Sequence, residues 1–478
     1  MNKNYLNVFK GKNSIIDFLN PDNNPPLPLV EIPEHLNPFK KNGVKIFAKM
    51  MNFLPLGNVK SLPAYNMLLS EKKSNKFKTI IENSSGNTVF SLAVIGRAFG
   101  IPTTKAIVSN QVKEGKLKLL RLLGTEIIVN REPICPDPED KSSGIYKAKI
   151  WAKENNWLNP GQYDNENNPK SHKKWTAKQI WTQLSGKIDI FCAGLGTTGT
   201  MVGCSQFFKE KNKKITTIGV IRKPNNPVPG VRTKNLLKQI AFDWNKYTDH
   251  IEEVGTVDSF KKSLDLCRSG IMVGPSSGFA FAGLLNFLEE KIKNTNKKMN
   301  ANCVFICPDS PTPYINEYFE YLKEEDFPKI ENGHFLEEKN QIEKIKDDIP
   351  EIEPLKVFDI FFKEKPEIVW QKIKQNKKIN HNKQIKIIDI RNQRDYEDFH
   401  IPGSENIETV INYKKIKAKK IIFVCKYGET SKLHTFKAKE QGIDAYSLKG
   451  GMLEWSKENF PRIRHSVCVE KFNLNKNS

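Results

Sequence analysis

Residues 188–207 read IDIFCAGLGTTGTMVGCSQF, and their order decides the fold class. An apolar β-branched run, Ile188–Phe191, leads into a loop of glycines and threonines, Gly194–Thr200, and then into a helical pattern that continues through Phe207. Strand, glycine turn and helix in that order form part of a βαβ unit, and such units build parallel sheets. The loop also satisfies G-x-G-x-x-G, so a dinucleotide site has to be weighed. The next apolar run, Thr217–Ile221, ends in Arg222-Lys223 rather than in the acid that would hold a ribose, which argues against it. Three threonine hydroxyls among glycines suit a single phosphate monoester held by many short donors.

The alternation extends outward from this unit. Between about residues 45 and 330, strand candidates are Lys45–Ala48, Ile127–Val129, Ile188–Phe191, Thr217–Ile221 and Val304–Ile306. Helical patterns run over Val89–Phe99 and Lys116–Leu123, each closed by a glycine, and over Ala280–Lys293. This part of the chain is therefore expected to be α/β with parallel strands. The charged segment 337–356, with prolines near its end, reads as a linker or a short surface helix. Beyond it the pattern restarts at smaller scale, with strands Ile385–Ile390 and Lys420–Val424 and a frayed tail.

A chain of 478 residues exceeds one ordinary core, and 38% hydrophobic residues leave room for several. Its 76 basic and 54 acidic residues give +22, which invites a nucleic-acid role. The lysines, however, lie scattered in short pairs beside asparagines, with no interleaved aromatics and no nucleic-acid motif, so that role ranks last. The excess charge helps attract anionic ligands at low salt. The opening MNKNYLNVFKGKNS has no continuous apolar run of the secretory kind, and no stretch approaches the ~20 apolar residues of a membrane span. The eight cysteines, at 135, 192, 204, 267, 303, 307, 425 and 468, form no CxxC, as expected of reduced thiols in a cytoplasmic protein. No histidine accompanies Cys303 and Cys307, so no metal site is expected there.

Two further loops share the chemistry of Gly194–Thr200. Ser84-Ser85-Gly86-Asn87-Thr88 precedes the helix at Val89, and Gly274-Pro275-Ser276-Ser277-Gly278 precedes another helical stretch. Each exposes N–H groups at the positive end of a helix, where a carboxylate or phosphate sits well. Taken singly, each is accounted for by an ordinary N-cap. A lysine completes the set. In Leu54–Pro63, LPLGNVKSLP, Lys60 follows an apolar run and a glycine and stands at the mouth of a helix that tolerates Pro63 in its first turn.

In order and spacing, PLGNVK (55–60), SSGNT (84–88), KLKLLRLLGTEII (116–128), GQYDNENNPKSH (161–172), GLGTTGT (194–200), GPSSG (274–278) and CPDS (307–310) resemble the fold-type II pyridoxal phosphate enzymes. The likeness covers roughly residues 25–325 and points to cysteine synthase and the catalytic core of cystathionine β-synthase. It implies a tryptophan synthase β-like catalytic domain at 1–335, built of two α/β subdomains with parallel sheets, the smaller at roughly 62–175. It implies that Lys60 forms the Schiff base with pyridoxal 5'-phosphate. An attacking amine must be neutral, and the helix end with partial burial would lower its pKa; the freed amine would then take the Cα proton.

By the same resemblance, Asn87 bonds the cofactor's ring oxygen, and Ser84, Ser85, Thr88 and Gln162 grip the substrate carboxylate. Gly196, Thr197, Thr198, Gly199 and Thr200 cradle the phosphate, and Ser276 faces the pyridine nitrogen. A hydroxyl there leaves the ring a moderate electron sink. The implied reaction is β-replacement on a serine derivative such as O-acetylserine, through an aminoacrylate, with a sulfur nucleophile. A homodimer is implied as well. Two departures stand near the substrate side. Ser61-Leu62 replaces the family's Asp-Arg after the lysine, and Gly230-Val231-Arg232-Thr233 replaces a glycine-rich GIGAGF. Arg232 either binds an anionic substrate tail or lies at the surface.

The C-terminal stretches from Ile388-Asp389-Ile390-Arg391 through His400-Ile401-Pro402-Gly403, Val424-Cys425-Lys426-Tyr427-Gly428-Glu429-Thr430-Ser431 and Leu448-Lys449-Gly450-Gly451 resemble a single small α/β rhodanese domain. It spans 355–464, after a linker at 336–354 and before a tail at 465–478. Cys425 directly follows an apolar strand, where N–H groups around the sulfur would favour a thiolate able to carry sulfur as a persulfide. The six-residue loop Cys425–Thr430 has the length of a sulfur-transfer loop, but Thr430 replaces the usual arginine and only Lys426 supplies charge. A flexible linker of ~20 residues reaches about 25 Å and gives millimolar effective concentrations. The expectation is that Cys425 supplies sulfur to the cofactor site. Alternatives are cysteine or cystine desulfhydration with capture of the released sulfur, and a non-catalytic regulator that retains the fold.

Overall fold

The computed structural model describes residues 6–71, 76–131, 137–295, 298–331, 333, 336, 349–408 and 413–464. The chain divides into two compact units, Met1–Phe327 and Pro328–Ser478. Most of the expected linker, the tail 465–478, Cys135 and Cys468 lie outside the described residues.

In the first unit the strands are β1 (Leu29–Glu31), β2 (Lys45–Met50), β3 (Thr79–Asn83), β4 (Thr103–Ser109), β5 (Glu126–Asn130), β6 (Ile190–Gly194), β7 (Thr216–Arg222), β8 (His250–Val254) and β9 (Asn302–Cys307). They form a six-stranded sheet in the order β1-β2-β9-β6-β7-β8 and a three-stranded sheet in the order β3-β4-β5. All pairs are parallel except β1 with β2, where Leu29 opposes Lys49. An antiparallel strand at the edge of an otherwise parallel sheet is a common solution. Lys49 is buried there and donates to Leu27 O, Gln179 Oε1 and Gln183 Oε1 at 2.7–3.0 Å.

Strand β6 begins two residues later than its apolar run. Ile188 and Asp189 precede the ladder, which starts where Ile190 faces Thr216 and Cys303, and it extends to Gly194 opposite Val220. Successive side chains then point to opposite faces. Phe191 and Ala193 pack in one core with Met201, Val202 and Phe208 of the helix Gly199–Lys211. Ile190 and Cys192 pack in the other with Phe279, Leu284 and Leu288 of the helix Pro275–Thr295. The sheet is therefore covered on both sides, which is why its strands read as continuous apolar runs. The carboxyl ends of β3, β6 and β9 lead into Ser84–Thr88, Gly194–Thr200 and Pro308–Asp309, and these loops line a common crevice.

The second unit carries β10 (Glu351–Ile352), β11 (Ile385–Asp389), β12 (Glu405–Asn406), β13 (Lys420–Val424) and β14 (Ala445–Leu448), all parallel in the order β10-β14-β13-β11-β12. Its core holds Phe358, Phe361, Ile387, Ile422 and the fully buried Trp455. At the end of β11, Arg391 Nε and Nη2 donate to the two oxygens of buried Asp389 at 2.9 and 2.7 Å. Among the described residues no helix is long and apolar enough to cross a membrane.

Candidate active site

Lys60 is held from its backbone outward. Asn58 Oδ1 accepts the Lys60 N–H at 3.0 Å and the Ser91 hydroxyl at 3.2 Å, while Asn58 O accepts the Ser61 hydroxyl at 2.8 Å. The Val59 N–H donates to Pro308 O at 2.7 Å, which pins this turn to the end of β9. The helix Ser61–Glu71 starts immediately after Lys60. The lysine lines a cavity of about 760 Å³. Burial pushes its ammonium down to about 8, against the pull of the Asp309 carboxylate.

Lys60 shares this cavity with Ser84, Ser85, Asn87, Thr88 and Gln162 and, on another wall, with Gly196, Thr197, Thr200 and Ser276. Thr198 and Gly199 belong to the same turn but not to the cavity lining. The turn is built for close approach. A Cβ at residue 196 would stand 2.1 Å from the backbone oxygen of Gly230, so that position requires glycine, and one at 199 would press on the Asn168 side chain, 2.1 Å from its Oδ1. Thr197 Oγ1 accepts from Asn168 Nδ2 at 3.1 Å, and the Thr200 hydroxyl meets His172 Nε2 at 3.2 Å. Burial, with the Lys60 charge nearby, pushes His172 down to about 3, so it bonds Thr200 and Thr176 as a neutral ring. Thr198 adopts φ +66°, and its buried hydroxyl has no protein partner.

On the opposite side Thr88 Oγ1 donates to Gln162 Oε1 at 2.7 Å, and Gln162 Nε2 donates to Asn83 O at 3.2 Å. Glu82 ties the two segments together by accepting N–H bonds from Asn83 at 3.1 Å, Gly161 at 3.0 Å and Gln162 at 3.4 Å. Burial pushes that carboxyl up to about 7 in spite of these three donors. Sequence reasoning left Glu82 out; a lone acid in an apolar run reads as an ordinary strand residue until its partners are known.

Asp309 is a second group that sequence reasoning leaves without a role, although it lies within the motif CPDS (307–310). Asp309 Oδ2 accepts from Asn87 Nδ2 at 2.6 Å and from the Tyr314 hydroxyl at 2.7 Å. Its other oxygen is buried without a partner. Burial pushes the carboxyl up, opposed by Tyr314, Asn87, Lys116 and Lys60. Asn87 thus reaches the cavity with its amide already oriented by a carboxylate.

The surface alternative for Arg232 is corrected. This residue is 8% exposed, lines the cavity, and donates from Nη2 to the Tyr163 hydroxyl at 2.7 Å.

In the second unit Cys425 follows β13 directly and is 6% exposed. Its Sγ accepts the Gly428 N–H at 3.1 Å and meets the Ser431 hydroxyl at 3.3 Å, and Ser431 in turn bonds Ser447 at 2.8 Å. The loop supplies one amide where several were expected, plus a hydroxyl from the helix Thr430–Glu440 that sequence reasoning had not counted.

Both units resemble known protein families. The profile of a family described as "Pyridoxal-phosphate dependent enzyme" matches residues 22–309, and that of "Rhodanese-like domain" matches 372–458. The chain is 30% identical to the cysteine synthase of Aquifex aeolicus over 299 residues, 60% of this chain and 88% of that protein. It is 30% identical to the cystathionine beta-synthase of Saccharomyces cerevisiae over 344 residues, 65% of this chain and 64% of that one. Among solved structures, a hydrogen sulfide-producing enzyme of Fusobacterium nucleatum aligns with a TM-score of 0.54 at 26% identity, covering 64% of this chain and 99% of that one. Cysteine synthase from Entamoeba histolytica aligns with a TM-score of 0.54 at 25% identity, covering 66% and 93%.

Proposed function

Because the chain belongs to the pyridoxal-phosphate dependent enzyme family and carries a C-terminal rhodanese-like domain, we propose that it replaces the β-substituent of a serine derivative by sulfur, with Cys425 carrying that sulfur as a persulfide. The residues present fit the cofactor. Thr197 and Thr200 line the cavity beside Gly196, where backbone leaves no room for a Cβ, and this glycine-threonine turn would cradle a phosphate in the same cavity as Lys60, whose pKa burial lowers. When bound, pyridoxal phosphate supplies an electron sink that acidifies the substrate Cα–H and eases loss of the β-substituent.

This chain's own residues do the remainder. Lys60 Nζ would hold the cofactor and, when released, take the Cα proton; its depressed pKa keeps it a base near neutral pH. Gly196 to Thr200 would hold the phosphate and Ser276 the ring nitrogen. Asn87, oriented by Asp309, would donate to the ring oxygen. Ser84, Ser85, Thr88 and Gln162 would grip the substrate carboxylate. The observation that carries this reading is the convergence of a near-neutral lysine, a glycine-threonine cradle and a hydroxyl- and amide-rich loop on one cavity. The catalytic domain would extend to about residue 335 and the sulfur-carrying domain over 355–464, in a cytoplasmic homodimer.

At Cys425 the thiolate attacks the outer sulfur of a sulfane donor such as thiosulfate. The donor S–S bond breaks as the Cys425 Sγ–S bond forms, and sulfite leaves with the electron pair. Two equivalents of a small thiol then release hydrogen sulfide, leaving Cys425 reduced and one disulfide. Cys425→Ser should abolish amino-acid product formed from O-acetylserine, thiosulfate and dithiothreitol while sparing product formed from free sulfide. Equal thiosulfate-driven rates in both proteins would refute the persulfide role. The hydrogen sulfide-producing neighbour favours a second reading, elimination from cysteine. Pyruvate formed from cysteine alone, in place of cysteine formed from O-acetylserine and sulfide, would establish it.

A further inference from the structure

Cys425 sits in a closed ring of hydrogen bonds that the reaction above leaves unused. We propose that Ser447 is a positioning residue for this sulfur: with Ser431 it makes a two-hydroxyl relay that holds the resting cysteine as a thiol and reverses direction when the sulfur ionises or carries a second sulfur. This rests on Cys425 as the sulfur carrier and specifies what has to change before that sulfur can react.

Four groups close the ring. The Gly428 N–H donates to Cys425 Sγ at 3.1 Å, and that sulfur meets the Ser431 hydroxyl at 3.3 Å. Ser431 Oγ meets Ser447 Oγ at 2.8 Å, and the Ser447 hydroxyl returns to the loop, donating to Gly428 O at 3.2 Å. Both serines are fully buried. They come from different elements, Ser431 from the helix Thr430–Glu440 and Ser447 from β14, so the relay is fixed by the sheet and the helix rather than by the loop itself. Ser447 is anchored on both sides of its strand. It pairs with Phe423 of β13, and its N–H donates to Pro350 O at 3.0 Å.

Counting protons sets the direction. A carbonyl only accepts, and each hydroxyl has one proton to give. Ser447 spends its proton on Gly428 O, so Ser431 has to donate to Ser447, and the Cys425 S–H has to donate to Ser431. Every buried group in the ring is then satisfied, and the sulfur is a thiol. A thiolate has released that proton to solvent, and in a persulfide Sγ is bonded to the outer sulfur in its place. Either form accepts the Ser431 O–H instead. Ser447 turns to Ser431, and Gly428 O loses the Ser447 donor. Ionisation therefore gains a charge-assisted O–H···S bond and forfeits one neutral bond at a buried carbonyl. The two serines act with opposite sign: Ser431 favours the reactive sulfur, and Ser447 favours the resting one.

Alkylation by iodoacetamide at neutral pH, followed in full-length holoprotein by mass spectrometry of the Cys425 peptide, reads the thiolate. Ser447→Ala should speed it about 3- to 10-fold, the effect of the one hydrogen bond that ionisation no longer breaks. In a Ser431→Ala background the Ser447 hydroxyl stays on Gly428 O whatever the sulfur does, so there the same change should alter the rate less than about twofold. Ser447→Thr keeps the hydroxyl and should stay within about twofold of wild type. A rate that falls or holds steady in Ser447→Ala would overturn the proposal. Equal acceleration in both backgrounds would do the same, since it signals a loosened loop in place of a relay. So would Ser447→Thr as fast as Ser447→Ala. Sulfur transfer from thiosulfate to cyanide tests the carrier role separately. Its absence in wild-type protein would remove Cys425 as the sulfur carrier, while the alkylation rates would still decide the relay.

Discussion

Two turns of the same design sit in the two units. After β6, Gly194–Thr200 enters the helix Gly199–Lys211; after β13, the loop from Cys425 enters the helix Thr430–Glu440. Both end a buried parallel strand, and both aim the positive end of a helix at whatever lies in front. The first presents no nucleophile of its own. It offers glycines, threonine hydroxyls and backbone, and the reactive group, Lys60, comes from a segment more than a hundred residues earlier. The second places its nucleophile at the first position of the loop, with an amide and a hydroxyl on the sulfur. The helix end is thus a generic anion device. A borrowed reagent has to be surrounded by groups drawn from the whole unit, whereas sulfur that is itself the reagent needs only its immediate neighbours.

The contrast is tested most severely at Lys60. Lys60→Ala should lower amino-acid turnover by about 10³-fold or more and abolish borohydride trapping of the cofactor, while sulfur transfer from thiosulfate to cyanide through Cys425 continues. Loss of both activities would show that the two turns do not work independently. Next in size is Gly196→Ala, whose new Cβ would press on Gly230 O. Cofactor affinity, followed by absorbance titration, should weaken about 10- to 100-fold. The tuning of the lysine sets a pH dependence. Burial depresses its pKa, so the neutral amine accumulates as pH rises toward about 8. Cofactor uptake by stripped protein should rise about tenfold between pH 6 and 7 and level off above about 8. A plateau reached only near 10.5 would mean that the lysine is not tuned. The smallest effect is expected at Ser431→Ala, where losing the hydroxyl that meets Cys425 Sγ should slow alkylation of that cysteine by iodoacetamide about 3- to 5-fold at neutral pH.

Much of this architecture is legible in the sequence where one face or one turn is self-contained. β2, β7 and β9 stand out as apolar runs because the sheet buries them, β5 stands out although it is an edge strand with Val129 exposed, and the glycines of Gly194–Thr200 mark their own turn. Strands β3 and β4 do not stand out. β4 begins Thr-Thr-Lys, and β3 carries buried Glu82 and Asn83, where the Glu82 carboxyl is satisfied by tertiary partners, Gly161 and Gln162, that no local pattern reveals. The site divides in the same way. Residues inside compact motifs, such as Asn87 and Thr197, could be located by resemblance. The pairing of Asp309 with Asn87 spans 222 positions, and the meeting of Arg232 with Tyr163 spans 69. Such contacts exist only once the chain has folded. Sequence reasoning left Arg232 undecided between cavity and surface for that reason.

Thr198 has a consequence beyond catalysis. A β-branched residue in the left-handed region and a buried hydroxyl lacking a protein partner each cost on the order of 1–3 kcal/mol, strain that cofactor binding to this turn would offset. The enzyme's lifetime in the cell would then track vitamin supply. Molecules made during scarcity would melt earlier and be digested faster, and a later dose of vitamin B6 would rescue abundance before it rescued rate.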